Sequence, residues 1–154
     1  MEIVQAEIAD AEQLLHLQQL AYQSEAELYG DRTIPPLTQT LSELKDEFSR
    51  TTILKALLDA AIVGSVRASE CDGIVSIGRL FVHPSCQHKG IGKQLVSAIE
   101  SKFPEARSFE LFTGSLSEGN IRFYQTMGYR ITHTKVLSEK VTMVFLQKLF
   151  MRNN

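Results

Sequence analysis

The sequence predicts one α/β domain over residues 1–154, built on a mixed sheet of about seven strands with about four helices. Three observations lead there. Apolar residues recur at helical spacing in the first third of the chain and again from residue 91, whereas residues 52–82 alternate with the two-residue period of strands. Asp72-Gly73 lies between two of the alternating runs and is a hairpin turn signal. No internal repeat, low-complexity tract or linker interrupts the 154 residues, and their 44% apolar content is enough for one core.

Taken in order, residues 2–7 read as a short strand, and Asp10 with Gln13 three positions on reads as a capping box that opens a helix. Leu14, Leu17, Leu20, Ala21 and Leu28 then form an apolar stripe that ends at Gly30 and the Pro35-Pro36 pair. A second helix starts at the Thr40/Glu43 capping box, with Leu41, Leu44 and Phe48 on one face. Three consecutive antiparallel strands follow at 52–58, 61–69 and 74–82, closed by Pro84. After a polar loop, Ile91, Leu95, Ile99 and Phe103 recur every four positions, as in a helix packed on a sheet. A strand at 108–112, a helix at 117–127 ended by Gly128, and two closing strands near 129–136 and 141–148 complete the order.

A formal charge of −2 argues against a surface that holds nucleic acid through phosphate neutralisation. Cys71 and Cys86 are the only cysteines, too few for a disulfide framework and not spaced as a metal pair, and His88 and His133 have no partner at ligand spacing. No run approaches the roughly 18 apolar residues of a membrane span, and the first residues lack the basic-then-apolar order of a signal peptide. The expectation is a cytoplasmic protein with no membrane partner that acts on a small molecule or peptide. Residues 22–50 hold Glu25, Glu27, Asp31, Glu43, Asp46 and Glu47 against Arg32, Lys45 and Arg50, an excess of acid that would draw a cationic amine toward a cleft, although the plainer reading is a solvated helix face.

The chemistry concentrates in Gln87-His88-Lys89-Gly90-Ile91-Gly92, between the strand ending at Val82-His83-Pro84 and the helix beginning beside Gly90. Amides at a helix start have no intrahelical acceptor and sit at the positive end of its dipole, so they favour a phosphate. The two glycines allow close approach, and Lys89 and Lys93 add charge. A dinucleotide fingerprint would need a third small residue at position 95, which is Leu95, and a P-loop would need a hydroxyl where Gln94 follows Lys93. Both readings fail.

The remaining pattern, Gln-x-x-Gly-x-Gly at Gln87, Gly90 and Gly92, resembles the pyrophosphate loop of the GNAT superfamily of N-acetyltransferases. The preceding run from Ile77 to Pro84 looks like that family's central strand. Residues 120–129, with Asn120, Tyr124 and Gly128-Tyr129, resemble its C-terminal helix. The resemblance implies acetyl-CoA as cosubstrate, bound where the strand ending at Val82 splays from the strand near Phe109, with its pyrophosphate on residues 87–92. It also implies an oxyanion donor at the backbone of Phe81 or Val82, a proton for the leaving thiolate from Tyr124, and a cofactor contact from Asn120, one helical turn earlier. Homodimerisation is a further expectation that it carries. In many members a glutamate on the central strand is the base. No carboxylate stands at 74–79 here, so a water relay is expected, with Glu110 and His83 as conceivable substitutes. The implied reaction is direct acetyl transfer to a primary amine in a ternary complex. The alternative is a catalytically silent acyl-CoA sensor or interaction module on the same fold, which would not need Tyr124. The acceptor is left to residues 22–50 and the last hairpin.

Overall fold

A computed structural model of the protein describes residues 1–149, so residues 150–154 of the expected domain lie outside the described residues. Seven strands form one sheet in the order β1-β2-β3-β4-β5-β7-β6. They are β1 (Glu2–Gln5), β2 (Thr52–Leu58), β3 (Ala61–Cys71), β4 (Ile74–Val82), β5 (Ser108–Gly114), β6 (Arg130–Val136) and β7 (Thr142–Leu149). Every neighbouring pair is antiparallel except β4 and β5, so the sheet is mixed as the sequence predicted. Asp72 and Gly73 both take positive φ, 51° and 81°, the hairpin geometry their pairing predicts.

The helices are α1 (Ala11–Ala21), α2 (Gln23–Tyr29), α3 (Pro35–Thr38), α4 (Leu41–Glu47), α5 (Ile91–Ser101) and α6 (Glu118–Thr126). On one face of the sheet, α5 buries Ile91, Leu95, Val96 and Ile99 against Leu54, Ala56 and Val66. On the other, Leu14 of α1 and Leu44 of α4 close over Ile53, with Leu41 and Phe48 packed alongside. Ile53 and Leu54 are adjacent in sequence and serve opposite faces, because side chains alternate along a strand.

Among the described residues six α-helices replace the expected four. The long first helix breaks at Tyr22, whose φ/ψ of −86°/3° ends α1, and α2 resumes with Ala26 and Tyr29 inward, leaving Leu20 and Leu28 of the anticipated stripe 43% and 48% exposed. Pro35 and Pro36 open α3 rather than only stopping a helix, since a ring-locked φ and a missing amide suit the first helical turn. Asp10 does not cap forward to Gln13. Its carboxylate accepts instead from the Glu7 amide at 2.8 Å and from Lys55 at 2.7 Å, closing a 3-10 turn before α1. The Thr40/Glu43 capping box is present as read. No helix among the described residues is long and apolar enough to cross a membrane.

Candidate active site

The parallel pairing of β4 with β5 covers only Ile74–Ser76 against Ser108–Glu110. Beyond it β5 stays with β7, while β4 turns away at a bulge where Val66 of β3 faces two residues, Arg79 and Leu80. Arg79 takes φ 50°, the left-handed region rarely used by a residue with a Cβ, and such a bulge sharpens local twist. The strands therefore splay, as the sequence reading expected between Val82 and Phe109, and the gap is a cleft of about 1250 Å³. It has two ends, one at the start of α5 and one under α2.

At the α5 end, Gln87, His88, Gly90, Gly92 and Lys93 line the cleft. Gly90 caps α5 with φ 80°, and the first intrahelical bond runs from the Gln94 amide to the Gly90 carbonyl at 3.1 Å. The amides of Ile91, Gly92 and Lys93 precede that bond and no side chain caps them, which is the condition for an anion seat. A Cβ on Gly90 would meet nothing within 4 Å, so the approach is open. The donor set thus fits a diphosphate. Lys89 does not line the cleft, and the Ile91 side chain is 5% exposed in the core beneath it, so Ile91 offers only its amide here. Along β4 the His83 amide donates to Val63 at 2.7 Å, and alternation turns the Phe81 amide the same way, toward β3, and the Val82 amide into the cleft. Of the two oxyanion candidates, Val82 is the one directed at the open side.

Tyr124 stands between the two ends. It lines the cleft from α6, is 9% exposed, and is held edge-on by Phe123 and Tyr129 at ring separations of 5.1 and 5.8 Å. Its hydroxyl has no hydrogen-bond partner among the described residues. Burial raises its pKa well above the ordinary phenol value, with Tyr22 and Glu25 adding to the shift, so it remains a proton donor at neutral pH. Tyr129 fixes the helix end, 2% exposed and bonded to Glu100 at 2.7 Å.

At the α2 end the walls are side chains. The Tyr22 hydroxyl donates to the Leu80 carbonyl at 3.4 Å, and its ring meets Phe81 edge-on at 6.1 Å. Burial pushes its phenol up to about 12, against the pull of Arg79 and Arg67. Glu25 accepts from Ser117 at 2.9 Å and from Asn120 at 3.3 Å, and Asn120, which lines the cleft from α6, has Thr113 as its other acceptor at 3.5 Å. Tyr29 extends this chain, sharing a 2.7 Å bond with Ser117 and accepting the Leu116 amide at 3.1 Å. Deeper, Arg67 is 3% exposed and donates to Glu47 at 3.1 Å, to Gln39 at 3.2 Å and to the fully buried Gln18. Desolvation lowers its pKa, and Glu47 opposes that shift.

The base candidates from sequence fall outside this arrangement. Neither Glu110 nor His83 lines the cleft, and His83 Nδ1 is taken by the Ser85 amide at 3.0 Å. The solvated reading of residues 22–50 is corrected at Glu25, Asp31 and Glu47, all of which face the cleft. Sequence reasoning also missed Tyr22, Tyr29 and Arg79 in its walls. Only the helix break at Tyr22 decides which of these residues turn inward, and the chain carried no glycine or proline there to signal it. No group of three or more His, Cys, Asp or Glu side chains is placed to hold a metal among the described residues.

The acetyltransferase (GNAT) family model matches residues 11–129, and the chain belongs to that family. Among solved structures, the PaiA N-acetyltransferase of Thermoplasma acidophilum with coenzyme A superposes with a TM-score of 0.83 at 18% identity, covering 97% of this chain and 98% of that one. The ribosomal-protein-S18-alanine N-acetyltransferase of Escherichia coli gives a TM-score of 0.78 at 11% identity, covering 99% and 96%. These likenesses establish the mixed-sheet fold. A curated relative, the UPF0157 protein YqkA of Bacillus subtilis (strain 168), is 24% identical over 124 residues, 80% of this chain and 36% of that protein. The chain thus spans about a third of that relative's length.

Proposed function

We propose that this chain transfers the acetyl group of acetyl-CoA to a primary amine by direct attack within a ternary complex. The observation that carries the reading is the cleft itself, in which uncapped amides at the α5 start and the unpartnered phenol of Tyr124 line one continuous space. Several structures of similar fold, the PaiA N-acetyltransferase among them, hold coenzyme A, which supports acetyl-CoA as cosubstrate.

In this reading residues 87–92 bind the diphosphate, Lys93 adds charge beside it, and the β4 edge near Val82 holds the thioester. Amides fixed in place before reaction stabilise a developing oxyanion without reorganising, and the Val82 amide has that orientation. Tyr124 gives its proton to the departing sulfur. An amine with a pKa of about 10.4 arrives protonated, so the chain must also take a proton from it, directly or through water. The net reaction consumes acetyl-CoA and an ammonium and yields an acetamide, free coenzyme A and one proton. No covalent enzyme intermediate is needed.

The test is release of free thiol from acetyl-CoA with a panel of amines, the product identified by mass. Transfer to at least one amine is expected. Calorimetric binding of acetyl-CoA without turnover of any amine would favour a sensor on the same fold instead.

A further inference from the structure

Of the charges that line the α2 end, only Glu47 stands in an ion pair among the described residues. Glu47 is neutralised by Arg67 at 3.1 Å. Asp31 is held by the Thr33 hydroxyl and amide at 2.6 and 2.8 Å, with Lys140 bearing on it from its seat on the Gly30 carbonyl at 3.0 Å. Glu25 and Arg79, of opposite sign, line the same cleft and also have no ion pair among the described residues. Glu25 is fixed by neutral donors from α6 and the loop before it, which orient the carboxylate without cancelling its charge. Arg79 is half-buried in the cleft wall, and its Nε, like that of Arg67, is buried with no hydrogen-bond partner among the described residues. Both line the cleft, and Tyr22, three positions before Glu25, donates its hydroxyl to the carbonyl of Leu80, the residue after Arg79.

From this pairing, and on the reading of the cleft as an acetyl-transfer site, we infer that the acceptor is an amine that carries its own carboxylate, with Glu25 receiving the ammonium and Arg79 the anion. A polycation would satisfy Glu25 and place like charge against Arg79. A neutral alkylamine would leave the Arg79 guanidinium incomplete. An aminocarboxylate answers both, since a guanidinium fork matches a carboxylate in shape as well as charge. Glu25 then also takes the ammonium proton, either directly or through one water, before nitrogen attacks and the C–S bond breaks. That role assigns the missing base to α2 rather than to the central strand.

The experiment measures kcat/KM for linear aminocarboxylates of increasing length, each beside its own carboxamide, with a linear triamine as the polycation. One charge-assisted contact corresponds to a preference of about tenfold to a hundredfold for the carboxylate member of at least one pair. Arg79→Gln should erase that preference through the acceptor KM, with acetyl-CoA affinity and melting temperature unchanged, and Arg79→Lys should restore part of it. Glu25→Gln should lower kcat for every acceptor. Equal or better use of the carboxamides or the triamine would overturn the inference while leaving acetyl transfer intact. Weakened acetyl-CoA binding by Arg79→Gln would overturn it by assigning Arg79 to the cosubstrate. Absence of acetyl-CoA binding by the unaltered protein would remove the activity and this inference together. The comparison of pairs in the unaltered protein stands even if a variant fails to fold.

Discussion

The two ends of the cleft are built from different material. At the α5 end the contacts are main-chain amides in a short contiguous run, set by Gly90 at φ 80° and the start of an amphipathic helix. At the α2 end they are side chains from α2, β4, β5 and α6, with Arg67 and Glu47 braced behind them. A backbone site tolerates wide drift of side chains provided the glycine and the helix remain. A side-chain site can be remade by single substitutions. The difference teaches where such a fold keeps its common chemistry and where it keeps its selectivity.

Tyr124 belongs to both ends and should give the largest effect. Tyr124→Phe is expected to slow transfer by about 10²–10⁴-fold, the range for a lost general acid, with acetyl-CoA affinity unchanged by calorimetry. Retention of full rate would mean that the sulfur is protonated from elsewhere. Breaking the brace at the α2 end comes next. Arg67→Met leaves Glu47 without its cation and should cost about 3 kcal/mol in denaturant unfolding, whereas Arg67→Met with Glu47→Leu should recover most of it. If the double variant is no more stable than the single, the pair is not what holds that wall.

A matched pair of glycine changes separates the ends more finely. A Cβ at Gly114 would fall 1.9 Å from the Tyr29 hydroxyl, so Gly114→Ala must displace Tyr29 from Ser117 and raise the acceptor KM, leaving acetyl-CoA affinity alone. Gly90→Ala forces a Cβ into the left-handed region, costs about 1–2 kcal/mol, and should appear in acetyl-CoA affinity instead. Identical effects of the two on both ligands would erase the distinction between the ends.

The smallest effect is on pH. Burial raises the pKa of Tyr22 to about 12 and that of Tyr124 higher still. The folded state thus disfavours phenolate, so this stability is fully present below the free phenol value of about 10 and is lost as pH rises from there through the folded values. The melting temperature should fall over that window, and less steeply in Tyr22→Phe. Transfer should show no alkaline loss from Tyr124 below about pH 10, because the donor keeps its proton.

Much of the fold was legible because period and punctuation act locally. The alternation at 52–82, the Asp72-Gly73 turn and the four-residue repeat from Ile91 to Ile99 each reflect neighbours a few positions apart. The α5 end was legible for the same reason, since glycines beside a helix start state their purpose within six residues. The α2 end was not. Leu14, Leu17, Leu20 and Leu28 suggested one continuous stripe, and only packing against β4 determines that the chain breaks at Tyr22 and turns Glu25 and Tyr29 inward.

By itself the sequence determined the mixed sheet, the succession of its strands and a glycine-flanked loop ahead of α5, because each follows from backbone preferences expressed over short spans. Tertiary structure alone decided that Glu25 meets Asn120 across 95 positions and that Arg79 sits at a bulge in the wall of the cleft with no ion pair among the described residues. Charges acquire partners, or lack them, only when distant segments are brought together, and no spacing along the chain records that outcome.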